Sequence, residues 1–164
     1  MNLPLYTNEQ RRRRDASPWT MVQAVLAPIQ FLIFLVSLWL VVSYLATGNG
    51  FAAAAISVVV KTIALYAIMI TGAIWEKDVY GQYLFAPAFF WEDVLSMGVL
   101  ALHTAYLAAI FLNIGSPHEQ MILALVAYVA YIVNAGQYLW KLRRARLETP
   151  SPIGASSKST GAHA

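Results

Sequence analysis

Four long apolar runs, separated by short polar breaks, dominate the chain. They cover about residues 19–46, 51–75, 89–114 and 121–140. Each run is near or above the roughly 20 residues that an α-helix needs to cross about 30 Å of hydrocarbon. Backbone groups in lipid must be hydrogen-bonded within their own segment, so we expect helices. The pattern predicts an all-α fold, an integral membrane four-helix bundle built from residues 19–146.

The segments that flank and connect these runs predict the orientation. Residues 1–18 form a basic N-terminal segment, and residues 147–164 form a Ser-, Pro-, Gly- and Ala-rich tail that we expect to be disordered. Lysines and arginines lie before the first run, between the second and third, and after the fourth. The positive-inside rule therefore predicts cytoplasmic N- and C-termini. The tryptophans near these ends predict an interfacial belt: Trp19, Trp75, Trp91 and Trp140.

Composition narrows the class of protein further. Of 164 residues, 59% are hydrophobic and 12% are charged, about half the charged fraction of a soluble domain. The absence of cysteine excludes disulfides, thiolate chemistry, Fe–S clusters and cysteine zinc sites. The formal charge of +3 does not indicate nucleic-acid binding, because the cations cluster beside the apolar runs. The lipid bilayer is thus the first predicted partner.

Polar residues recur at helical spacing within three of the runs. Because ionisable groups inside a bilayer are costly, each deserves a functional hypothesis. Together these faces predict a polar cleft with aromatic walls that opens to the cytoplasm and suits a flat amphipathic ligand. The faces comprise Gln23, Gln30, Ser37 and Tyr44 in the first run, Glu92, Ser96, Val99, His103 and Tyr106 in the third, and Tyr131, Asn134, Tyr138 and Lys141 in the fourth.

Depth along the helices divides the polar residues into two layers. We expect Glu76 and Asp78 to lie in a charged loop near the cytoplasmic surface. Glu92 and Asp93 begin an apolar helix at the same level, where capping remains an alternative to a functional role. Lys61 and His103 are predicted at similar mid-membrane depth, with no obvious acid beside them. A neutral, structural His103 also stays open.

Three stretches carry a family resemblance. The chain closely resembles the 3-vinyl bacteriochlorophyllide hydratase family in LYTNEQRRRRDASPWT (5–20), YAIMITGAIWEKDVYGQYLFAPAFFWEDVLSMGVLALHTAYL (66–107) and NAGQYLWKLR (134–143). The likeness covers about residues 5–147. It implies addition of water across the C-3 vinyl group of a magnesium tetrapyrrole, giving a 1-hydroxyethyl group, in bacteriochlorophyll a synthesis. It also implies a multi-pass protein of a bacterial cytoplasmic or intracytoplasmic membrane, and no cofactor, since the substrate carries its own magnesium.

Vinyl hydration needs an acid, a stabilised cation and a positioned water. The acid must keep its proton near neutral pH, which burial beside a second carboxylate favours. The leading catalytic candidates are Glu92 and Asp93 with Glu76. Consecutive helical residues point about 100° apart, so a partner for the acid from Glu76 or Asp78 across the helices stays open.

The candidates for substrate binding are drawn from both layers and from the rim. His103 could be an axial ligand to the substrate magnesium, but it lies about 16 Å along the helix from Glu92. The metal-to-vinyl distance within one macrocycle is much shorter, so we favour the carboxylates as the reacting groups. Arg143 could pair with the substrate propionate or simply anchor the helix. The set comprises His103, Lys61, Trp91, Tyr131, Asn134, Gln137 and Arg143.

Two other functions compete with the hydratase. One is a non-catalytic tetrapyrrole-binding or assembly protein, and the other is a proton path through Lys61 and His103. The path is disfavoured because nothing ionisable follows in the outer half of the membrane before His118. Self-association through the alanines at 52–55 and contact with other bacteriochlorophyll-synthesis enzymes stay open as partnerships.

Overall fold

Five α-helices make up most of residues 5–147, which is the part of the chain that the computed structural model describes. The tail expected at residues 147–164 lies outside the described residues from residue 148 onward. The helices are α1 (Asn8–Ala16), α2 (Pro18–Thr47), α3 (Phe51–Tyr80), α4 (Phe90–Phe111) and α5 (Pro117–Leu147).

Helices α2 to α5 are each long and apolar enough to cross a membrane, which confirms the all-α fold with four candidate spans. Their outward surfaces are apolar: Trp39, Ile63 and Val129 are each more than half exposed. Polar side chains such as Ser37 and Lys61 are fully buried instead. This inverted distribution is what lipid, rather than water, requires of a protein surface.

The four spans form two hairpins, α2–α3 and α4–α5. The first turns through Gly48 and Gly50, whose φ angles of 73° and 87° lie in the left-handed region that glycine adopts freely. In the second, the Gln120 Nε2 amide donates to the carbonyl oxygens of Ala109 and Ile114. Helices contact each other more extensively within each hairpin than between hairpins. A seam therefore runs between the two hairpins, where Ser37 contacts Tyr128 and Lys61 contacts Tyr131.

Helix α3 is longer than the apolar pattern predicts, and this corrects the placement of two acids. It continues to Tyr80 and stops at Gly81, whose φ is 87°. The expectation that Glu76 and Asp78 lie in a loop was wrong, because both belong to the last turns of α3. Tertiary partners hold them there: Ala86 N–H donates to Glu76 at 3.3 Å, and the Ser17 hydroxyl donates to Asp78 at 2.8 Å.

The second hairpin also has different ends from those expected. Helix α4 stops at Phe111 rather than near residue 114, and α5 begins at Pro117 and runs to Leu147. Proline suits the first turn of a helix because its missing N–H would be unpaired there. Glu119 accepts from the Ser116 N–H at 2.7 Å, which caps the same turn. The apolar pattern could not place the ends of α5, because residues 117–120 and most of residues 141–147 are polar.

Helix α1 lies within the segment expected only to be basic. A capping box starts it, in which Thr7 and Gln10 exchange backbone and side-chain hydrogen bonds. Tyr6 is buried and stacks on Tyr80 at 6.0 Å between ring centroids, and the Arg14 guanidinium lies 4.9 Å above the Tyr6 ring. Helix α1 is thereby docked on the end of α3. We call this end of the bundle, with residues 81–89 and the last turns of α5, the basic end.

Candidate active site

The predicted polar face of α4 is buried along the seam. Its five residues, Glu92, Ser96, Val99, His103 and Tyr106, are all among the buried residues of this helix. Opposite them, α5 contributes its own predicted polar face. That pairing of faces confirms the helical-spacing argument for these two runs.

Two acids from different helices meet at the basic end. Glu76 on α3 and Asp93 on α4 are 5% and 2% exposed, and the adjacent backbone N–H groups of Ala86 and Phe85 donate to them. We call Glu76 and Asp93 the carboxyl pair. Two neighbouring carboxyl groups can provide both a proton donor and a proton acceptor when one of them is protonated.

The connection between α3 and α4 holds the carboxyl pair. Phe85 N–H donates to Asp93 Oδ2 at 2.8 Å, and Ala86 N–H donates to Glu76 Oε2 at 3.3 Å. Phe85 has a φ of 60°, which is uncommon for a non-glycine residue. Tyr138 of α5 adds a third donor, its hydroxyl lying 3.2 Å from Asp93 Oδ1. Sequence spacing gave no indication of the two backbone donors, because they depend on how residues 81–89 fold back.

Glu92 has a different role from its neighbour. Its Oε2 lies 2.7 Å from Lys141 Nζ on α5, and the Lys141 ammonium also lies 4.9 Å from the centre of the Phe89 ring. This ion pair joins α4 to α5 and makes a cation, rather than a second carboxyl group, the partner of Glu92. The structure thus brings together Asp93 and Glu76 from the predicted catalytic set and pairs Glu92 with a cation.

Aromatic rings cluster at the basic end, and one of them, Tyr138, contacts Asp93. Trp75, Tyr80 and Phe89 contact one another edge to face, with centroid separations between 5.9 and 6.1 Å. Tyr138 stacks on Phe89 at 5.8 Å with an interplanar angle of 22°. The faces of aromatic rings attract positive charge. The surroundings of the pair therefore suit a reaction in which a cation develops.

A chain of hydrogen-bonded side chains leads from the carboxyl pair deeper into the seam. Tyr138 is hydrogen-bonded to Asp93 and to Ser96, and the Asn134 Nδ2 amide donates to Ser96 Oγ at 2.8 Å. Within the described part of the chain, Asn134 Oδ1 has no hydrogen-bond partner. The chain thus ends on an open acceptor one turn away from Tyr131.

Lys61 and His103 lie at mid-span, as their positions predicted. Both are fully buried, and Lys61 Nζ lies 3.8 Å from the centre of the Tyr131 ring. His103 Nδ1 lies 2.8 Å from the Val99 carbonyl oxygen, and its ring packs at 5.8 Å from that of Tyr128. Among residues 5–145, no carboxylate forms an ion pair with Lys61. A cation–π contact with Tyr131 is its only charge-compensating neighbour in that range.

A metal ion would find few ligands in this seam. Over the residues that the structure describes, no three His, Cys, Asp or Glu side chains form a group that could hold one. If His103 Nδ1 carries the proton that the Val99 carbonyl accepts, Nε2 keeps a free lone pair. His103 can therefore offer a single axial bond to a metal that a ligand brings with it.

Three predicted substrate-binding residues lie outside the seam. Trp91 is 72% exposed, and Gln137 and Arg143 are also exposed. Trp91 precedes Glu92 and so points about 100° away from the buried face of α4. Gln137 precedes Tyr138 and is offset from it by the same angle. These three side chains thus lie at the surface, with Arg143 at the basic end, whereas Lys61, His103, Tyr131 and Asn134 line the seam.

Comparison with known proteins identifies the family. Residues 6–144 match the family described as 2-vinyl bacteriochlorophyllide hydratase (BCHF). A protein of that name from Rhodobacter capsulatus is 66% identical over 148 residues, covering 90% of this chain and 85% of the relative. Another from Cereibacter sphaeroides is 67% identical over 145 residues, covering 88% and 89%. No solved structure matches. The chain belongs to the 2-vinyl bacteriochlorophyllide hydratase family.

Proposed function

We propose that this chain adds water across the vinyl group of a bacteriochlorophyllide-type magnesium tetrapyrrole, giving a 1-hydroxyethyl group. The vinyl-bearing carbon is numbered 2 or 3 according to the convention used for the macrocycle. Identity of 66–67% to two relatives of that name supports the reaction. The observation that carries the proposal is the buried carboxyl pair, two acids from different helices that accept from adjacent backbone N–H groups.

The reaction proceeds by protonation and then attack of water. The protonated member of the pair gives its proton to the terminal vinyl carbon, so a C–H bond forms as the C=C π bond breaks. The positive charge on the carbon attached to the ring is spread over the macrocycle. Water then forms the C–O bond and loses a proton to the other carboxylate, and transfer of that proton across the pair restores its starting state. No electrons are transferred overall, so the reaction needs no redox cofactor, and magnesium enters with the substrate.

Hydrogen bonding assigns the two roles within the pair. Asp93 accepts from Phe85 N–H and from the Tyr138 hydroxyl, whereas Glu76 accepts one longer bond from Ala86 N–H. Donors stabilise the ionised form of the carboxyl group that they contact. We therefore assign Glu76 as the acid and Asp93 as the base that positions the water.

The remaining seam residues bind the macrocycle. Deeper in the seam than the carboxyl pair, Tyr131 provides an aromatic ring and Asn134 provides an amide oxygen without a hydrogen-bond partner among the described residues. The exposed Arg143 anchors α5 at the rim, because the propionate lies beside the fifth ring and points away from the rim when the vinyl group is at the carboxyl pair. His103 is too far along α4 from the pair to bind magnesium while the vinyl group reacts, about 15 Å from Asp93.

The basic end faces the cytoplasm. Among the described residues, every arginine lies at this end, and the connections at the opposite end contain neither lysine nor arginine. The positive-inside rule places such an end on the cytoplasmic side of a bacterial cytoplasmic or intracytoplasmic membrane. A substrate made on the cytoplasmic side would thus reach the carboxyl pair without crossing the bilayer.

An isotope experiment tests the function. Membranes that contain the protein are incubated with a 3-vinyl magnesium pigment in ¹⁸O-water, and membranes of the same host without it serve as the control. The product should gain the mass of one labelled water only when the protein is present. Pigment that binds and never gains this mass would instead identify a non-catalytic tetrapyrrole-binding protein.

A further inference from the structure

Three fully buried residues of the seam carry polar groups without hydrogen-bond partners. Lys61 Nζ, His103 Nε2 and Tyr106 Oη make no hydrogen bond within residues 5–145, and all three residues are 0% exposed. Unpaired polar groups are rare in folded proteins, and they are more costly in the middle of a bilayer than in a soluble core. Something that these residues do not supply must complete the site.

The three groups come from two helices that face each other across the seam. Lys61 extends from α3 to the Tyr131 ring on α5, so its amine lies between the hairpins rather than toward lipid. His103 and Tyr106 lie on the buried face of α4. An amine keeps N–H donors whether or not it is charged. The group that Lys61 lacks is therefore a hydrogen-bond acceptor located between the hairpins.

The depth of this site matches the size of the proposed substrate. His103 follows Asp93 by ten residues, which is about 15 Å along α4. That distance is longer than the separation between the magnesium and the vinyl group of one pigment, but it is comparable with the width of the whole macrocycle. When the vinyl group lies at the carboxyl pair, the opposite edge of the macrocycle therefore extends toward Lys61. In a bacteriochlorophyllide that edge bears a fifth ring with carbonyl oxygens.

We infer that Lys61 binds a carbonyl oxygen of the substrate, on the edge of the macrocycle that lies opposite the vinyl group. The inference rests on the proposed function, because it assumes that the macrocycle lies in the seam. It gives the enzyme a second polar contact, far from the reacting carbon, that fixes which pyrrole ring meets the acid. A site built to donate a hydrogen bond discriminates strongly against an analogue that lacks the acceptor. Internal water offers the same acceptor chemistry and is the other source that the test must separate.

Two matched pigments provide the test. Both carry magnesium and a 3-vinyl group, and they differ only in whether the fifth-ring keto oxygen is present or replaced by two hydrogens. Full-length protein in lipid nanodiscs is titrated with each pigment by absorbance. Wild type should bind the keto pigment about 10-fold more tightly or better, the effect of one charge-assisted hydrogen bond. Lys61→Met should bind both pigments equally, and the exposed-lysine control Lys77→Met should keep the preference.

The vibrational spectrum of the bound pigment gives a second readout that turnover does not affect. The keto C=O stretch should move to lower frequency in wild type and return to the value of the unbonded group in Lys61→Met. Equal affinity of wild type for the two pigments, or an unshifted keto band, would overturn the inference and leave internal water as the partner of Lys61. Both results need only wild-type protein, so misfolding of the variant cannot obscure them.

The two proposals fail in different ways. Hydration of the vinyl group without any keto preference would remove the role of Lys61 and leave the hydratase intact. Absence of binding of either pigment to wild type would overturn both, since no macrocycle would then lie in the seam.

Discussion

Lys141 Nζ lies 2.7 Å from Glu92 Oε2, and this ion pair gives two adjacent acids different roles. Glu92 joins α4 to α5 at the basic end. Asp93, one position further, turns toward α3 and enters the carboxyl pair with Glu76. A run of two acids that reads as one candidate site in the sequence is thus divided between a structural contact and a chemical one.

The Glu92–Lys141 pair should support stability rather than turnover. Its side chains are 11% and 27% exposed, so Glu92→Gln leaves a largely buried cation without its partner. We expect this variant to unfold at a lower concentration of denaturing detergent than wild type. Its turnover rate should remain within several-fold of the wild-type rate. The charge-exchanged double variant, Glu92→Lys with Lys141→Glu, should recover part of the lost stability. A Glu92→Gln protein of unchanged stability that no longer turns over would contradict this assignment.

Tyr138 should act on the rate through Asp93. Tyr138→Phe keeps the ring that stacks on Phe89 but removes the hydroxyl that donates to Asp93. A hydrogen bond to a charged group contributes about 1.5–3 kcal/mol, so kcat should fall about 10-fold or more while KM changes little. The pH dependence of kcat should also change, because the lost donor contacts one of the two groups that transfer the proton. Tyr83→Phe, at an exposed tyrosine, is the control, and equal kinetics for both variants would exclude this role.

The contact between Ser96 and Asn134 should contribute to folding. Ser96→Ala removes the acceptor of the 2.8 Å bond from Asn134 Nδ2 and leaves a buried amide N–H without it. Interhelical hydrogen bonds in membrane proteins are worth about 0.6 kcal/mol on average and reach about 1.7 kcal/mol. We expect the free energy of unfolding to fall by about 1 kcal/mol, as measured from the loss of helicity in denaturing detergent. Ser43→Ala should have no such effect, and equal losses in the two variants would argue against the contact.

Tyr6 should hold helix α1 on the bundle. The chain has no cysteine, so Arg12→Cys provides a unique site for a spin label on the exposed side of α1. Adding Tyr6→Ala removes the stack on Tyr80 and the ring beneath Arg14, so the label should become markedly more mobile. Tyr83→Ala, at an exposed ring, should leave the spectrum unchanged. An immobile label in the Tyr6 variant would show that other contacts dock α1.

The docking of α1 should also depend on pH in one direction. Burial raises the pKa of the Tyr6 hydroxyl, because desolvation disfavours the ionised ring more than Arg14 favours it. The neutral ring docks, so its stabilisation is fully present below the ordinary tyrosine pKa of about 10 and is lost as pH rises through the higher pKa of the docked state. Label mobility on α1 should therefore increase only above about pH 10. Release at neutral pH would contradict the account.

The sequence predicts the faces of the helices better than their partners. The buried face of α4 could be read from the spacing of Glu92, Ser96 and His103, because helical periodicity is a local property. The meeting of Glu76 with Asp93 depends on how residues 81–89 fold, and no periodicity records that. In the sequence, the charged residues around Glu76 indicate a loop. The folded structure shows instead that Glu76 accepts from Ala86 N–H at the end of α3.

Docking of α1 shows the same division. Thr7 and Gln10 carry a capping box that indicates a helix start from the sequence alone. The stack of Tyr6 on Tyr80 joins residues far apart in the chain, and only the folded structure reveals it. Local patterns thus predict where helices form, whereas the pairing that makes the site is a tertiary property.

Transfer of a proton from the carboxyl pair to the vinyl carbon is the central claim, and turnover in D₂O tests it most directly. Wild-type protein should give a product with one deuterium in the new methyl group and a hydroxyl on the carbon attached to the ring. Glu76→Gln and Asp93→Asn should still bind pigment but turn over at least about 100-fold more slowly, the usual contribution of a general acid or base. Glu92→Gln should remain within several-fold of wild type. Wild-type turnover by Glu76→Gln or Asp93→Asn, or a methyl group without deuterium, would contradict the account.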